Sequence, residues 1–196
     1  DSAATTLQKP PSVARATAHA IDHLASPGRG GHRPAMAAAD TAFACREEAA
    51  ALFHVTSVDQ VVFTFNATHG LNIAIKTLVH PGDRVVISGY EHNAVTRPLH
   101  AIPEVEILVA RSPLFDRQGM IDSFRQCLDQ GADAAICTHV SNVFGFILPI
   151  QEIAELCRQR EVPLIVDASQ SAGVLPLDIQ ELGAAFVAMP GHKGLY

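Results

Sequence analysis

The amino-acid sequence predicts an α/β fold in which a mostly parallel sheet is joined by crossover helices. Two observations carry this reading. Between Gln60 and Met189, short β-branched or apolar runs alternate with stretches of helical spacing. Glycine-bearing helix stops, "HPGDRV" and "DQGADA", lead directly into the run that follows. Composition sets the scale: 196 residues, 48% of them hydrophobic, are enough for one sizeable core.

The elements follow in order. The first sixty residues carry two helical patterns, Val13 to Leu24 and roughly Pro34 to Phe53, separated by the glycine-rich loop "SPGRGGHRP". Strand runs are expected at "QVVFTF" (60 to 65), "RVVISG" (84 to 89), "VEILVA" (105 to 110), "AAICTH" (134 to 139), "VPLIVD" (162 to 167) and "AFVAM" (185 to 189). The helices between them read "GLNIAIKTLVH", "HNAVTRPLHAI", "MIDSFRQCLDQ" and "IQEIAELCRQR". In the last, Ile150, Ile153, Ala154 and Cys157 recur at intervals of three and four residues and so share one buried face. With no internal repeat, low-complexity tract or linker, the chain reads as one continuous domain.

Composition also excludes. Fourteen Lys and Arg against 20 Asp and Glu give a formal charge of −6, with no basic cluster, so no nucleic-acid partner is expected. The longest apolar runs fall far short of the roughly 20 residues that span a bilayer, so no membrane partner is expected. The start "DSAATTLQKPP" lacks the basic opening and apolar stretch of a signal peptide, which makes a cytoplasmic protein the expectation. Cys45, Cys127, Cys137 and Cys157 show no CxxC spacing and read as reduced packing residues. The ten histidines are dispersed, with no HExxH and no His-Cys cluster, so no metal site is expected.

In open parallel sheets ligands bind at the carboxyl ends of the strands, which makes the residues after each run the informative ones. "FNATHGLN" is a small-residue turn opening a helix, where a phosphate would suit Ala67 and Thr68; the plain alternative is a helix cap at Thr68. Neither GxGxxG nor GxxxxGK[ST] occurs, which removes the main support for dinucleotide and P-loop readings. Asp167 ends the hydrophobic run "VPLIVD", where an unpaired carboxylate is costly to bury. It either caps a neighbouring helix or pairs with a protonated heterocyclic nitrogen, and Gln170 is then placed to donate to another ring substituent.

His92 in "YEHNAV" reads as a capped surface histidine or a ligand residue, and Asn142 in "VSNVFG" as a turn former or a site amide. Lys193 in "GHKG" supplies a nucleophilic amine of the kind Schiff-base lysines use, with His192 beside it able to contact a phosphate or substrate. A phosphate cradle, a stacking ring, a pyridinium carboxylate and a Schiff-base lysine together are what pyridoxal phosphate chemistry requires.

The order "SAATT", "NATHGLN", "EHNA", "SNVFG", "DASQSAG" and "GHKG" resembles the class V aminotransferase family of pyridoxal-phosphate enzymes, most closely its cysteine desulfurase and selenocysteine lyase branch. The likeness runs over residues 1–196. It implies the aspartate aminotransferase-like transferase fold, fold type I, a three-layer α/β/α large domain. By that likeness Lys193 is the covalent attachment lysine and a catalytic base, Asp167 partners the pyridine nitrogen, and Gln170 approaches the phenolic oxygen. His92 stacks on the ring and moves protons. Thr68 and the Ala67 amide hold the phosphate, helped by His192, while Asn142 lies near the phenolic oxygen and the substrate carboxylate. The "DSAATT" and "GRGGH" stretches resemble loops on the substrate side.

Two departures stand out: Pro190 occupies the place of a phosphate-binding serine, and His69 that of a glutamate. The resemblance further implies that residues 1–196 comprise an N-terminal segment and most of the large domain. A small domain with a persulfide-forming cysteine and a substrate-binding arginine is expected beyond Tyr196. The implied activity is desulfuration of L-cysteine to L-alanine in a homodimer that hands sulfur to an acceptor protein. The alternatives are an aminotransferase, a selenocysteine lyase, or a catalytically silent cofactor-binding fragment.

Overall fold

The sheet is built from five strands, β1 (Arg84–Ser88), β2 (Glu106–Ala110), β3 (Ala134–Thr138), β4 (Leu164–Asp167) and β5 (Phe186–Ala188). In the computed structural model, which describes residues 3–196, they pair in the order β2-β1-β3-β4-β5. Every pairing is parallel. Ile136 of β3 lies opposite both Ile87 of β1 and Ile165 of β4. All five residues of β3 are buried, as expected of a central parallel strand covered on both faces.

The helices form the two outer layers. Helix α3 (Ala67–Leu78) packs on α4 (Asn93–His100), and both enclose Val85, Ile87, Ala134, Ile136 and Ile165 in one apolar cluster. Successive strand residues point to opposite faces, so Val86, Ala135, Cys137 and Val166 face the other way. That side carries α5 (Arg117–Leu128), which packs on β1 and β2, and α6 (Ile150–Arg158), which packs on β3, β4 and α5. The result is the three-layer α/β/α architecture expected from the sequence. The amphipathic face of α6 is buried at Ile150, Ile153, Ala154 and Cys157. A short helix, α7 (Ile179–Leu182), was not anticipated; Asp178 caps it and Gly183 closes it in the left-handed region at φ 66°.

The chain divides into two compact units, one running to Phe63 with Tyr196 and the other Thr64–Leu195. The sheet belongs to the second. The first contains α1 (Pro11–His23) and α2 (Arg33–Leu52), close to the two helical patterns read from the sequence, and a 3-10 turn at Val58–Gln60. Within it the Arg46 guanidinium lies 5.6 Å from the Phe63 ring centroid. Among the described residues no helix is long and apolar enough to cross a membrane.

One expected strand is absent. Gln60 ends the 3-10 turn, and residues 61–65 continue with no ladder partner among the described residues. Val62, Phe63 and Phe65 stay exposed at 69%, 52% and 94%. The β-branched and aromatic content of "QVVFTF" favours a pleated, half-buried surface, but propensity does not make a strand without a neighbour to hydrogen-bond. The sheet therefore has five strands where the sequence suggested six.

Ile136, fully buried at the sheet centre, anchors this packing. Replacing it with alanine is expected to destabilise the protein by about 2–5 kcal/mol, read as a lower urea midpoint at unchanged m-value.

Candidate active site

Strand β1 lies between β2 and β3, so the chain leaves it in one direction for β2 and later returns past it to β3. The carboxyl ends of β1 and β3 thus flank the topological switch point, where open α/β sheets bind ligands. The pocket lined by Ala67, Thr68, His92, Asn142, Asp167, Gln170, His192 and Lys193 opens on these strand ends, so all eight residues singled out in the sequence meet in one place. Thr138, Val140, Ser169 and Pro190 line it as well.

Helix α3 points its N-terminus at the pocket. The cap is Asn66, not Thr68: the Asn66 side-chain oxygen accepts from the His69 N–H at 2.8 Å, which puts Ala67 at the first helical position. Extended backbone at Asn66 favours this short amide as the cap. Thr68 is thereby left in the first turn with an exposed side chain. The Ala67 and Thr68 amides belong to the opening turn, whose N–H groups have no intrahelical acceptor, and the helix dipole adds positive potential there. His69 serves the helix start, its Nδ1 accepting from the Phe65 N–H at 3.3 Å and its ring stacked on Phe65.

Asp167 is the last residue of β4 and only 3% exposed. Its Oδ1 accepts from the Ser169 N–H at 2.9 Å, and its main-chain oxygen accepts from the His139 N–H at 2.9 Å. The turn that follows, "ASQSAG", docks on the loop bearing Lys193, backbone against backbone. A Cβ on Gly194 would stand 2.1 Å from the Ala172 oxygen, and one on Gly173, at φ +77°, would stand 2.5 Å from the Gly194 oxygen. This explains why "DASQSAG" and "GHKG" occur together: two glycines let the lysine loop settle against the aspartate turn. Lys193 itself is half-buried.

His92 caps α4. Its Nδ1 accepts from the Ala94 N–H at 3.1 Å, so in the neutral ring the proton resides on Nε2. Asn142 is exposed in a turn closed by bonds from the Gly145 N–H to the Ser141 oxygen and from the Ser141 N–H to the Phe146 oxygen. Of the readings left open in the sequence, the cap at His92 and the turn at Asn142 both hold, and both residues still line the pocket. The stretch "GRGGH" lies in the other unit, and Asp1 and Ser2 of "DSAATT" fall outside the described residues.

Sequence reasoning missed two polar residues next to the pocket, the half-buried Glu91 and the buried His139. Glu91 turns inward: its Oε1 accepts from the Thr138 N–H at 2.7 Å and from the Ser88 hydroxyl, while Oε2 is buried with no partner among the described residues. Burial pushes its carboxyl up to about 8 against the pull of these bonds, and Asp167 adds to the rise. His139 is 4% exposed, its Nδ1 has no partner among the described residues, and burial holds it down at about 4, so it is neutral. The available signal was a charged side chain and an imidazole each within three residues of a strand end. None of the four cysteines lines the pocket; Cys45 is exposed, Cys137 and Cys157 are buried, and burial pushes the Cys157 thiol up to about 12.

Two outcomes follow from this geometry. Gly194→Ala is expected to cost about 1–3 kcal/mol by forcing the Lys193 loop off the turn, seen as a lower Tm and weaker protection of the 168–174 segment in hydrogen exchange. His139 binds its proton only below about 4 in the fold but near 6.5 when unfolded, so its contribution is complete above 6.5 and lost as pH falls toward 4. His139→Gln is expected to remove that part of the acid-side loss in a denaturation series.

Comparison with known proteins agrees with this architecture. The Aminotransferase class-V family profile matches residues 1–196. A protein described as a probable cysteine desulfurase from Methanothermobacter thermautotrophicus is 31% identical over 99% of this chain, and one so described from Synechocystis sp. is 30% identical over 97%. The chain spans about half the length of these curated relatives, 49% and 47% respectively. The solved apo structure of a cysteine desulfurase from Thermococcus onnurineus superposes with a TM-score of 0.87 at 26% identity, covering 99% of this chain and 49% of that one. A pocket at the switch point, the six motifs in order and a match along the full chain lead to one conclusion: the chain belongs to the class V aminotransferase family, in its cysteine desulfurase branch.

Proposed function

We propose that the protein is a pyridoxal-phosphate enzyme that removes sulfur from L-cysteine and leaves L-alanine. The observation that carries this reading is the docking of the Lys193 loop on the Asp167 turn, which holds an amine and a buried carboxylate to one pocket beside a helix N-terminus. This donor set fits the cofactor: a helix start for a phosphate, a buried carboxylate for a cationic ring nitrogen, and an amine for a carbonyl carbon.

When bound, pyridoxal phosphate supplies a carbonyl carbon for amine capture and an electron-poor ring that accepts the electrons released at an amino acid's α-carbon. The chain's own groups do the rest. The Ala67 and Thr68 amides, with the Thr68 hydroxyl and His192, bind the phosphate. Pro190 offers no hydroxyl there, so the helix start carries more of that task. Asp167, with Oδ1 fixed by the Ser169 N–H, keeps a proton on the ring nitrogen. Gln170 and Asn142 orient the phenolic oxygen by hydrogen bonding.

Lys193 would hold the cofactor through Nζ and, with its amine free, would carry the substrate's α-proton there. His92 would lie against the cofactor ring with Nε2–H available as a donor, since Nδ1 is committed to the cap of α4. The sulfur-accepting thiol is proposed to come from outside the pocket residues described, because no cysteine of this chain lines it. A homodimer, a cytoplasmic location and transfer of sulfur to an acceptor protein complete the reading, whose desulfurase part is supported by the names of the relatives.

Other class V chemistry is the second reading, favoured by one fact: the chain spans only about half the length of those relatives, and the cofactor residues are common to the group. It includes an aminotransferase, a selenocysteine lyase, and a chain that binds cofactor without turnover.

Borohydride reduction of the cofactor-loaded full-length protein is expected to label Lys193 in peptide mapping; a label at another lysine overturns the site. Stoichiometric alanine from cysteine, with matching sulfide when an excess thiol reductant is supplied to reduce the transferred sulfur, and no amino transfer to a keto acid, is the expected product pattern. Transfer to the keto acid, or release from selenocysteine alone, would replace the substrate assignment.

A further inference from the structure

Glu91 lies in the fork of the switch point, and nothing in the proposed chemistry uses it. Pairing between β1 and β3 ends at Ile87 and Ile136, whereas β3 and β4 stay paired one step past Cys137, to Thr138 and Asp167. The Thr138 N–H therefore has no β1 carbonyl to donate to. Glu91 Oε1 takes that place at 2.7 Å and also accepts from the hydroxyl of Ser88, the last residue of β1. One carboxyl thus ties together the ends of two strands that have begun to part. Ser88 is held in turn by the Tyr90 N–H, which donates to its oxygen at 3.2 Å.

The other oxygen decides the charge state. Glu91 Oε2 is buried and accepts from no group among the described residues. A carboxylate with one oxygen stranded out of water is far more costly than a neutral acid in the same place. The titratable groups that bear on it are Asp167 on β4 and the Cys137 thiol on β3, and an ionised Glu91 would repel the charged form of either. On its own loop, the neighbouring His92 has turned Nδ1 toward the Ala94 N–H.

We propose that Glu91 is a positioning residue of this site: a neutral, proton-bearing carboxyl that bridges the ends of β1 and β3 and adds no second charge beside Asp167, the one carboxyl among the described residues lining the pocket. Its protonation matters because Asp167 is to pair with a single cationic nitrogen. A second negative charge in the fork would raise the proton affinity of that nitrogen, even though the Thr138 and Ser88 donors favour the ionised form. The upward displacement of the Glu91 carboxyl to about 8 agrees with this geometry and gives the pH at which the second charge appears. This inference deepens the pyridoxal-phosphate reading of the pocket, on which its second measurement below rests but not its first.

The first measurement is an infrared pH titration of the full-length protein without cofactor. A protonated-carboxyl C=O band is expected to disappear as pH rises through about 8 and to be missing in Glu91→Gln. Ser88→Ala, which removes a hydrogen bond to the ionised form, is expected to move the midpoint of that band upward. A band unchanged in Glu91→Gln, no such band near neutrality, or an unmoved midpoint in Ser88→Ala would overturn the proposal. The second follows visible absorbance of the cofactor-loaded protein against pH. Wild type is expected to show a step near 8 that Glu91→Gln lacks while retaining the cofactor, and the same step in both proteins would overturn the proposal. Should no cofactor bind, the proposed function fails and the infrared titration alone decides on Glu91.

Discussion

Parallel pairing of β4 with both its neighbours is the interaction on which the pocket rests. It sets Asp167 beside Thr138 on one side and Ala188 on the other. Just past the strand ends the ladder continues in fragments, with the His139 N–H on the Asp167 oxygen and the Ala168 N–H on the Ala188 oxygen. Those bonds hold the aspartate's main chain in place on both sides. They also bring three loops, after β3, β4 and β5, to one level. Parallel strands share the end at which they finish, so groups scattered from residue 138 to residue 193 need no long connections to meet.

The distribution of buried polarity shows where this architecture departs from a simple core. The buried polar or charged residues described are Ser88, Thr138, His139, Ser141, Asp167 and Ser171. Each stands at or just beyond the carboxyl end of β1, β3 or β4, while the rest of the interior is apolar. Burying polar groups is costly unless they are paired, and here the pairing is local: strand-end amides meet side-chain oxygens, as Thr138 meets Glu91 and Ser169 meets Asp167. One end of the sheet therefore combines order with unspent hydrogen-bonding capacity, which a ligand-binding floor requires.

Much of this was legible in the sequence because parallel strands buried on both faces write continuous apolar runs, as at "AAICT" and "LIVD". The loop residues after them could be read as a set because strand polarity fixes which end they occupy. "QVVFTF" misled for the complementary reason: a run of residues suited to a strand says nothing about whether another backbone lies alongside. The cap at Asn66 was missed because Asn and Thr both accept at a helix start, and backbone angles chose between them. Glu91 and His139 were illegible because sequence shows that a residue is polar but not which way its side chain turns. Only the parting of β1 from β3 creates the space that Glu91 fills.

The contact between Gly173 and Gly194 has a consequence for how this chain can vary. In most packed pairs an enlarged side chain on one partner can be offset by a reduced one on the other, so sequences drift by paired exchange. Here both positions already carry the smallest residue, and the obstructing atoms are main-chain oxygens that no substitution trims. There is no second change that restores the fit after the first. The Lys193 loop is thus locked in sequence space as well as in position: Gly173 in the aspartate turn and Gly194 just after the lysine stay where they are.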